Sequence, residues 1–328
     1  MSLASLKGKL IPSVILGMLV VLVLALLGDL REVGTSFSTF QWISIPAILG
    51  FTCLNYVLRW AKWDYYLHRL AVHNKVNYLD SALMFTAGMV MSVTPGKIGE
   101  VFKSYLLKRV NGTPITTSAP IVLAERLTDG LAMLLLMALG LTLNPPARLA
   151  FVVLLVGSIV GIVLLQFRPF VEWMIAFIER LPLGNKIAPR LRDIYESTLQ
   201  LMGWKVILVS TLISFVSWGF ECVAFYYVLT GLGIEGSALL LLQATFVFAA
   251  STLFGLVSFL PGGLGASEAS SAGLLVFLVG MSSGAASAAT LIIRFCTLWF
   301  GVMLGLVALV WFGQRYRGEA EIAPELVS

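Results

Sequence analysis

The chain has 328 residues, of which 59% are hydrophobic and 12% charged, and its formal net charge is +5. Soluble domains are roughly half apolar and a quarter charged, so this composition excludes an ordinary soluble enzyme, and the excess of Lys and Arg reads as loop asymmetry rather than nucleic-acid affinity. Cys53, Cys222 and Cys296 all fall in apolar runs and are odd in number, which argues against a disulfide or metal framework.

In chain order, Lys7 and Lys9 precede an apolar run over residues 11–28, read as an uncleaved first helix because no small-x-small cleavage site follows. Residues 33–58 carry no charge and lead to a basic stretch with Arg59, Lys62, Arg69 and Lys75. A shorter uncharged run over 81–96 breaks at Pro95-Gly96, and a second short helix is expected to reach Lys108-Arg109. Residues 117–143 form the next span, with Glu125, Arg126 and Asp129 in its first half; Asn144-Pro145-Pro146 turns the chain, and 149–167 returns. Within the polar stretch that follows, Phe170, Trp173, Met174, Phe177 and Ile178 recur at helical spacing and predict an interfacial amphipathic helix in 169–202. Residues 206–234 span again with Glu221 inside. Residues 236–267 are uncharged but broken at Pro261-Gly262-Gly263, and apolar stretches over 269–293 and 295–314 precede a short polar tail, 315–328.

Basic loops alternate with loops poor in Lys and Arg if each Pro-Gly break is the tip of a helical hairpin that returns to its starting side. The first hairpin, about 79–109, then enters from the cytoplasm and the second, about 237–283, from outside. The expected fold is an all-α polytopic membrane domain over 1–314, with inverted repeats at about 41–143 and 203–312. It has either six spans plus two re-entrant hairpins or eight spans, with both termini in the cytoplasm and the protein in the cytoplasmic (inner) membrane. Inverted repeats with interrupted helices are a transporter design, with the site near the midplane.

The breaks carry the chemistry. The first reads PGKIGE from Pro95 to Glu100 and the second PGGLGASE from Pro261 to Glu268. Glu100 and Arg126 stand 26 residues apart, as do Glu268 and Arg294. A Pro-Gly break leaves unpaired N–H groups at the start of the next helix, which suits an anion, and arginine in hydrocarbon needs a cavity or a partner. Both Glu/Arg sets, with Lys97 and the two helix starts, could line one cavity for a phosphate or zwitterionic headgroup. Each set could also be a structural ion pair; its duplication in inverted orientation favours function. Glu125 and Asp129 share a helix face, and Asp129 is expected to hold Arg126 or Arg59. Glu221 has no counterpart in the first repeat, and a structural partner is expected for it.

NYVLRW (55–60), PGKIGE, ERLTD (125–129) and PGGLGASE with its following Arg294 together resemble the flippase-like family, which includes the membrane domain of lysylphosphatidylglycerol synthases and stand-alone relatives. The resemblance covers roughly residues 10–314. It implies translocation of a lipid headgroup between leaflets and carries over Arg59, Pro95, Gly96, Gly99, Glu100, Glu125, Arg126, Asp129, Pro261, Gly262, Gly263, Gly265, Glu268 and Arg294 as motif positions. The soluble aminoacyl-transfer domain of the synthases has no counterpart in these residues, so lysyl-lipid synthesis is not expected. The expected partner is a membrane lipid, whether anionic, aminoacylated or polyprenyl-linked. A glycosyltransferase or lipid synthase could be a protein partner and a homo-oligomer is possible; no metal, cofactor or nucleic acid is expected. The alternatives to a flippase are an integral-membrane transferase using Glu100 or Glu268 as general base, and a non-catalytic partner of a glycosyltransferase.

Overall fold

The computed structural model describes residues 30–93, 100–181, 184–258 and 260–316, the backbone alone at 184–187 and 261. The expected first span, Pro95, Gly96, Lys97, Gly99 and the end of the tail lie outside these residues. The described residues are helical throughout their ordered elements, without strands. Five helices are long and apolar enough to cross a membrane: Trp42–Arg69, Ala147–Gln166, Trp204–Gly231, Ala238–Val257 and Ser283–Arg315.

Helix α1 (Leu30–Thr39) precedes a tight 3-10 turn and α2 (Ile45–Arg69). The uncharged run of the sequence is thus two helices, and α2 continues well past Arg59. Charge does not end it, because the Arg59 guanidinium lies over the Trp218 ring at 5.1 Å and Lys62 is buried in an ion pair. Helix α3 (Tyr78–Gly88) starts on Asn77, whose Oδ1 accepts from Asp80 N at 2.8 Å, and tightens into a 3-10 turn, Met89–Val93. After the break come α4 (Phe102–Asn111), closed by left-handed Gly112, then α5 (Pro120–Leu139) and α6 (Ala147–Gln166). No residue of α6 is buried, so it faces lipid. Helices α7 (Arg168–Glu179) and α8 (Gly184–Leu201) pack on each other at one end of the bundle, and α7 exposes Trp173, Met174 and Phe177 as an interfacial helix does.

Helix α9 (Trp204–Gly231) is followed by α10 (Ala238–Val257), the second break, and α11 (Ala266–Leu274), which widens through Leu275–Val279. Helix α12 (Ser283–Arg294) passes through a wide turn, Phe295–Trp299, directly into α13 (Phe300–Arg315). The sequence divided this last stretch at Arg294. The guanidinium is held inside the bundle, so one continuous helical run results.

Packing pairs helices from the two halves of the chain. Helices α2 and α9 cross antiparallel: Thr52 meets Glu221, Asn55 meets Ser217 and Lys62 meets Ser214. Helix α5 lies antiparallel on α10, with Gly130 beside Leu256 and Gly140 beside Phe246. The equivalent pair, α3 and α13, also runs antiparallel. Gly301 faces Met89, a Cβ on Gly305 would meet Val90 N at 2.8 Å and Thr86 O at 2.9 Å, and Arg315 bonds Asp80 at 2.7 Å. Small residues thus set the helix approach where no hydrophobic drive exists between helices in lipid.

The helices that flank the two Pro-Gly breaks begin and end at opposite ends of this bundle. Asn111 Nδ2 donates to the Val72 and Asn74 carbonyls, which brings the end of α4 back beside the start of α3. At the other end Phe40, Leu229, Leu240 and Met281 share one cluster, so α10 starts where α11 finishes. Between them the Met89–Val93 turn approaches the second break: a Cβ built on Gly262 would lie 3.6 Å from the Ser92 carbonyl.

Candidate functional site: two anchored arginines on one cavity

The second break is shaped by three glycines with positive φ: Gly262 (61°), Gly263 (69°) and Gly265 (88°). The left-handed region is open to glycine without steric cost. This turn presents the start of α11, and Glu268 folds back so that its Oε2 accepts from Gly265 N at 2.7 Å, capping its own helix. Its other oxygen takes Arg294 Nε at 2.5 Å, and Arg294 Nη2 reaches back to the Gly262 carbonyl at 2.9 Å. One arginine thereby ties helix α12 to both the carboxylate and the turn.

The first repeat builds the corresponding pair. Arg126 on α5 grips Glu100 with two bonds, Nε to Oε2 at 2.8 Å and Nη2 to Oε1 at 2.6 Å. Both glutamates are buried, whereas both guanidiniums keep about a fifth of their side-chain surface exposed.

A cavity of about 160 Å³ is lined by Arg59, Glu100, Arg126, Asp129, Glu221 and Arg294 among others, and by Gly262 and Gly263 of the second turn. The two repeats therefore contribute to one polar pocket in the middle of an apolar bundle. Arg126 also borders a second, apolar space of about 580 Å³ between α5, α6 and α10, walled by Leu123, Leu134, Leu154, Leu253 and Val257.

The remaining expected site residues divide. Asp129 lines the cavity, but its partner is Lys62, Nζ to Oδ1 at 2.5 Å, with Ser214 Oγ donating to the same oxygen at 2.9 Å. Neither Arg126 nor Arg59 holds it. Lys62 belonged to a basic loop in the sequence reading; in the fold it is 1% exposed and stands opposite Asp129 across the α2–α5 contact. Glu125 points elsewhere, into a buried pair with Lys103 at 2.6 Å, whose ammonium also sits over the rings of Trp63 (4.7 Å) and Phe85 (5.4 Å). Lys103 and Lys62 went unnoticed as pair partners because, unlike the Glu/Arg spacing of 26, neither separation is duplicated in the chain. Trp63 is fully buried. Glu221 has the structural partner expected of it, Thr52, whose Oγ1 donates to Oε2 at 3.3 Å, and it also lines the cavity. Among the described residues no three His, Cys, Asp or Glu side chains gather as a metal site.

Breaking a buried ion pair by removing one partner costs about 3–5 kcal/mol, whereas replacing both by apolar residues is often neutral. Asp129→Asn should therefore destabilise the protein by roughly this amount, and Lys62→Met combined with Asp129→Leu should recover most of it. Thermal unfolding in detergent checks both, and a single substitution as harmless as the double one would show that the pair is ionised only in name.

Residues 14–305 match the family described as the lysylphosphatidylglycerol synthase TM region. The chain belongs to that family. Relatives of the synthase transmembrane-region family include two proteins of Methanothermobacter thermautotrophicus, each named a UPF0104 membrane protein. One is 27% identical over 75% of this chain and 75% of the relative, the other 25% identical over 83% and 86%. A UPF0104 membrane protein of Pyrococcus horikoshii is 24% identical over 76% of this chain and 81% of its own length. This is a multi-pass membrane protein of the synthase transmembrane-region family, and both Glu/Arg pairs and the central cavity fall within the matched residues.

Proposed function

We propose that the protein moves a lipid headgroup between the leaflets of the cytoplasmic membrane through the central cavity. The observation that carries this reading is the position of Arg126, shared by the polar cavity and the apolar space beside it. A lipid is a molecule with those two halves. Its phosphate suits guanidinium donors already oriented by Glu100 and Glu268, since arginine offers a planar fork of donors and a carboxylate partner fixes its direction. Its acyl or prenyl chain suits the groove of α5, α6 and α10. Arg59, lying on Trp218 without a described carboxylate, adds a cation to the same pocket.

In this reading the two broken helix pairs are re-entrant hairpins of inverted repeats, with tips meeting inside the bilayer. The antiparallel crossing of α2 and α9 and the exchanged pairing of α3–α13 with α5–α10 support that symmetry. The end bearing Arg69, Lys108, Arg109, Lys205 and Arg315 faces the cytoplasm by the positive-inside rule. In a variant lacking native cysteines, Asn144→Cys and Glu235→Cys should react with an impermeant thiol reagent from outside, and Arg192→Cys should not. Labelling of Asn144→Cys and Glu235→Cys from opposite sides would remove the inverted arrangement.

The function itself is tested with purified protein in vesicles containing a tail-labelled fluorescent phosphatidylglycerol, the outer-leaflet label being bleached by dithionite. Rapid loss of the inner-leaflet signal, beyond that of protein-free vesicles, is expected. Folded protein that leaves the inner pool protected overturns the reading.

A further inference from the structure

Four intramembrane carboxylates, Glu100, Glu125, Asp129 and Glu268, each have a Lys or Arg nitrogen at 2.5–2.6 Å. Glu221 differs. It is 1% exposed, lies well inside α9 and lines the central cavity, yet among the described residues no basic nitrogen comes within ion-pair distance, and its hydrogen-bond partner is the Thr52 hydroxyl. We propose that Glu221 is a proton-binding site that couples lipid movement to the pH gradient across the membrane, an inference that rests on the flippase reading above.

A carboxylate charge without an ion-pair partner is disfavoured in hydrocarbon, and binding a proton removes it. Thr52 suits both forms, because a hydroxyl donates to a carboxylate and accepts from a carboxylic acid by rotating. The titratable groups facing Glu221 are Cys53, Tyr56 and Arg59 from α2, Cys222 from α9 and Cys296 from the wide turn after α12; Arg59 is the one cation among them, and it stacks on Trp218 without forming an ion pair with Glu221. The thiols and the phenol are neutral near pH 7, and Tyr56 donates its hydroxyl to the Thr297 carbonyl. Elsewhere on the cavity wall Arg126, Asp129 and Arg294 are engaged by Glu100, Lys62 and Glu268. Arg59, spread on Trp218, is left to attract an anion.

An anionic headgroup drawn to Arg59 meets Glu221 in the same pocket. Two negative charges there repel, so the loaded cavity binds a proton more tightly and, reciprocally, the protonated cavity binds the anion more tightly. The step balances simply: one proton from one aqueous face adds to a Glu221 carboxylate oxygen, and the same proton leaves to the opposite face, with no bond broken elsewhere and nothing oxidised.

Two measurements on the full-length protein decide it. Infrared difference spectra of the protein in vesicles should show a protonated-carboxyl carbonyl band at neutral pH. Glu221→Gln should remove it, whereas Thr52→Val, which leaves the acid in place, should only move its frequency. A band unchanged in Glu221→Gln, or none in the wild type, overturns the proton site. In the second, the steady-state leaflet ratio of tail-labelled phosphatidylglycerol is read under an imposed gradient of about one pH unit. One proton per lipid allows a shift of up to about tenfold. The wild type should shift the ratio, and Glu221→Gln should still exchange lipid but hold the ratio at its value without a gradient. Exchange without any shift in the wild type removes the coupling and leaves the flippase reading intact. An equal shift in Glu221→Gln removes Glu221 from it. No exchange by the wild type removes the flippase reading and the coupling together, while the infrared result still decides the proton site.

Discussion

Arg294→Ala should reduce lipid exchange in vesicles by one to two orders of magnitude. A hydrogen bond to a charged group contributes about 1.5–3 kcal/mol, and each 1.4 kcal/mol is tenfold. The same substitution strands buried Glu268 and releases the Gly262 carbonyl, so stability falls as well. Adding Glu268→Gln separates the two effects. The double variant has no uncompensated charge, so its thermal stability should return towards that of the wild type, while lipid exchange should stay low because the guanidinium is still missing. Recovery of exchange together with stability would return the pair to a purely structural role. Arg294→Lys should restore little of either property: an ammonium cannot reach Glu268 and the Gly262 carbonyl in the planar arrangement that Arg294 uses. Arg126→Ala should behave alike and lose in addition the residue that joins the polar cavity to the apolar groove.

These charges were legible in the sequence because hydrocarbon makes them conspicuous. Glu100, Arg126, Glu268 and Arg294 recur at one spacing, and a duplicated spacing survives folding as two equivalent ion pairs. The helix positions were legible for the same reason: apolar runs bounded by turn residues, such as Ser237 ahead of α10, mark spans without any knowledge of packing. What the sequence hid was which charge meets which across the bundle. Asp129 stands one helical turn from Arg126, near enough to pair, yet Glu100 engages Arg126 with two bonds and Lys62 arrives from another helix to claim Asp129. Lys62 and Arg59 themselves looked like the start of a loop because charge usually marks a span's end; buried partners and an aromatic ring removed that signal. Glu221 was expected to have a structural partner, and it has one in the Thr52 hydroxyl; that this partner is not a cation was not legible.

Gly263→Val should be the most damaging substitution at the second turn. Position 263 has φ 69°, a region a β-branched residue scarcely enters, and a Cβ built there meets Ser267 Oγ at 2.8 Å, Gly255 Cα at 3.0 Å and the Gly255 carbonyl at 3.2 Å. Ser267 could swing away, but the backbone of α10 at Gly255 cannot retreat without moving the helix against α5. Backbone strain of about 1–3 kcal/mol and overpacking of about 1–3 kcal/mol act together, so a loss of several kcal/mol is expected. Gly262→Ala provides the comparison. It shares the positive φ, but its Cβ finds the nearest atoms at 3.5–3.6 Å, among them the Ser92 carbonyl of the Met89–Val93 turn, so it meets strain without a clash. Its stability should fall by no more than the strain alone. Lipid exchange should fall further than that stability loss explains, because the new methyl stands between Leu298 and Ser92 on the wall of the central cavity. Equal stability of Gly263→Val and Gly262→Ala in thermal unfolding would mean that α10 and the turn do not pack as closely as their backbone distances require. Undiminished exchange in Gly262→Ala would separate the approach of the Met89–Val93 turn to the second break from the path that the lipid takes.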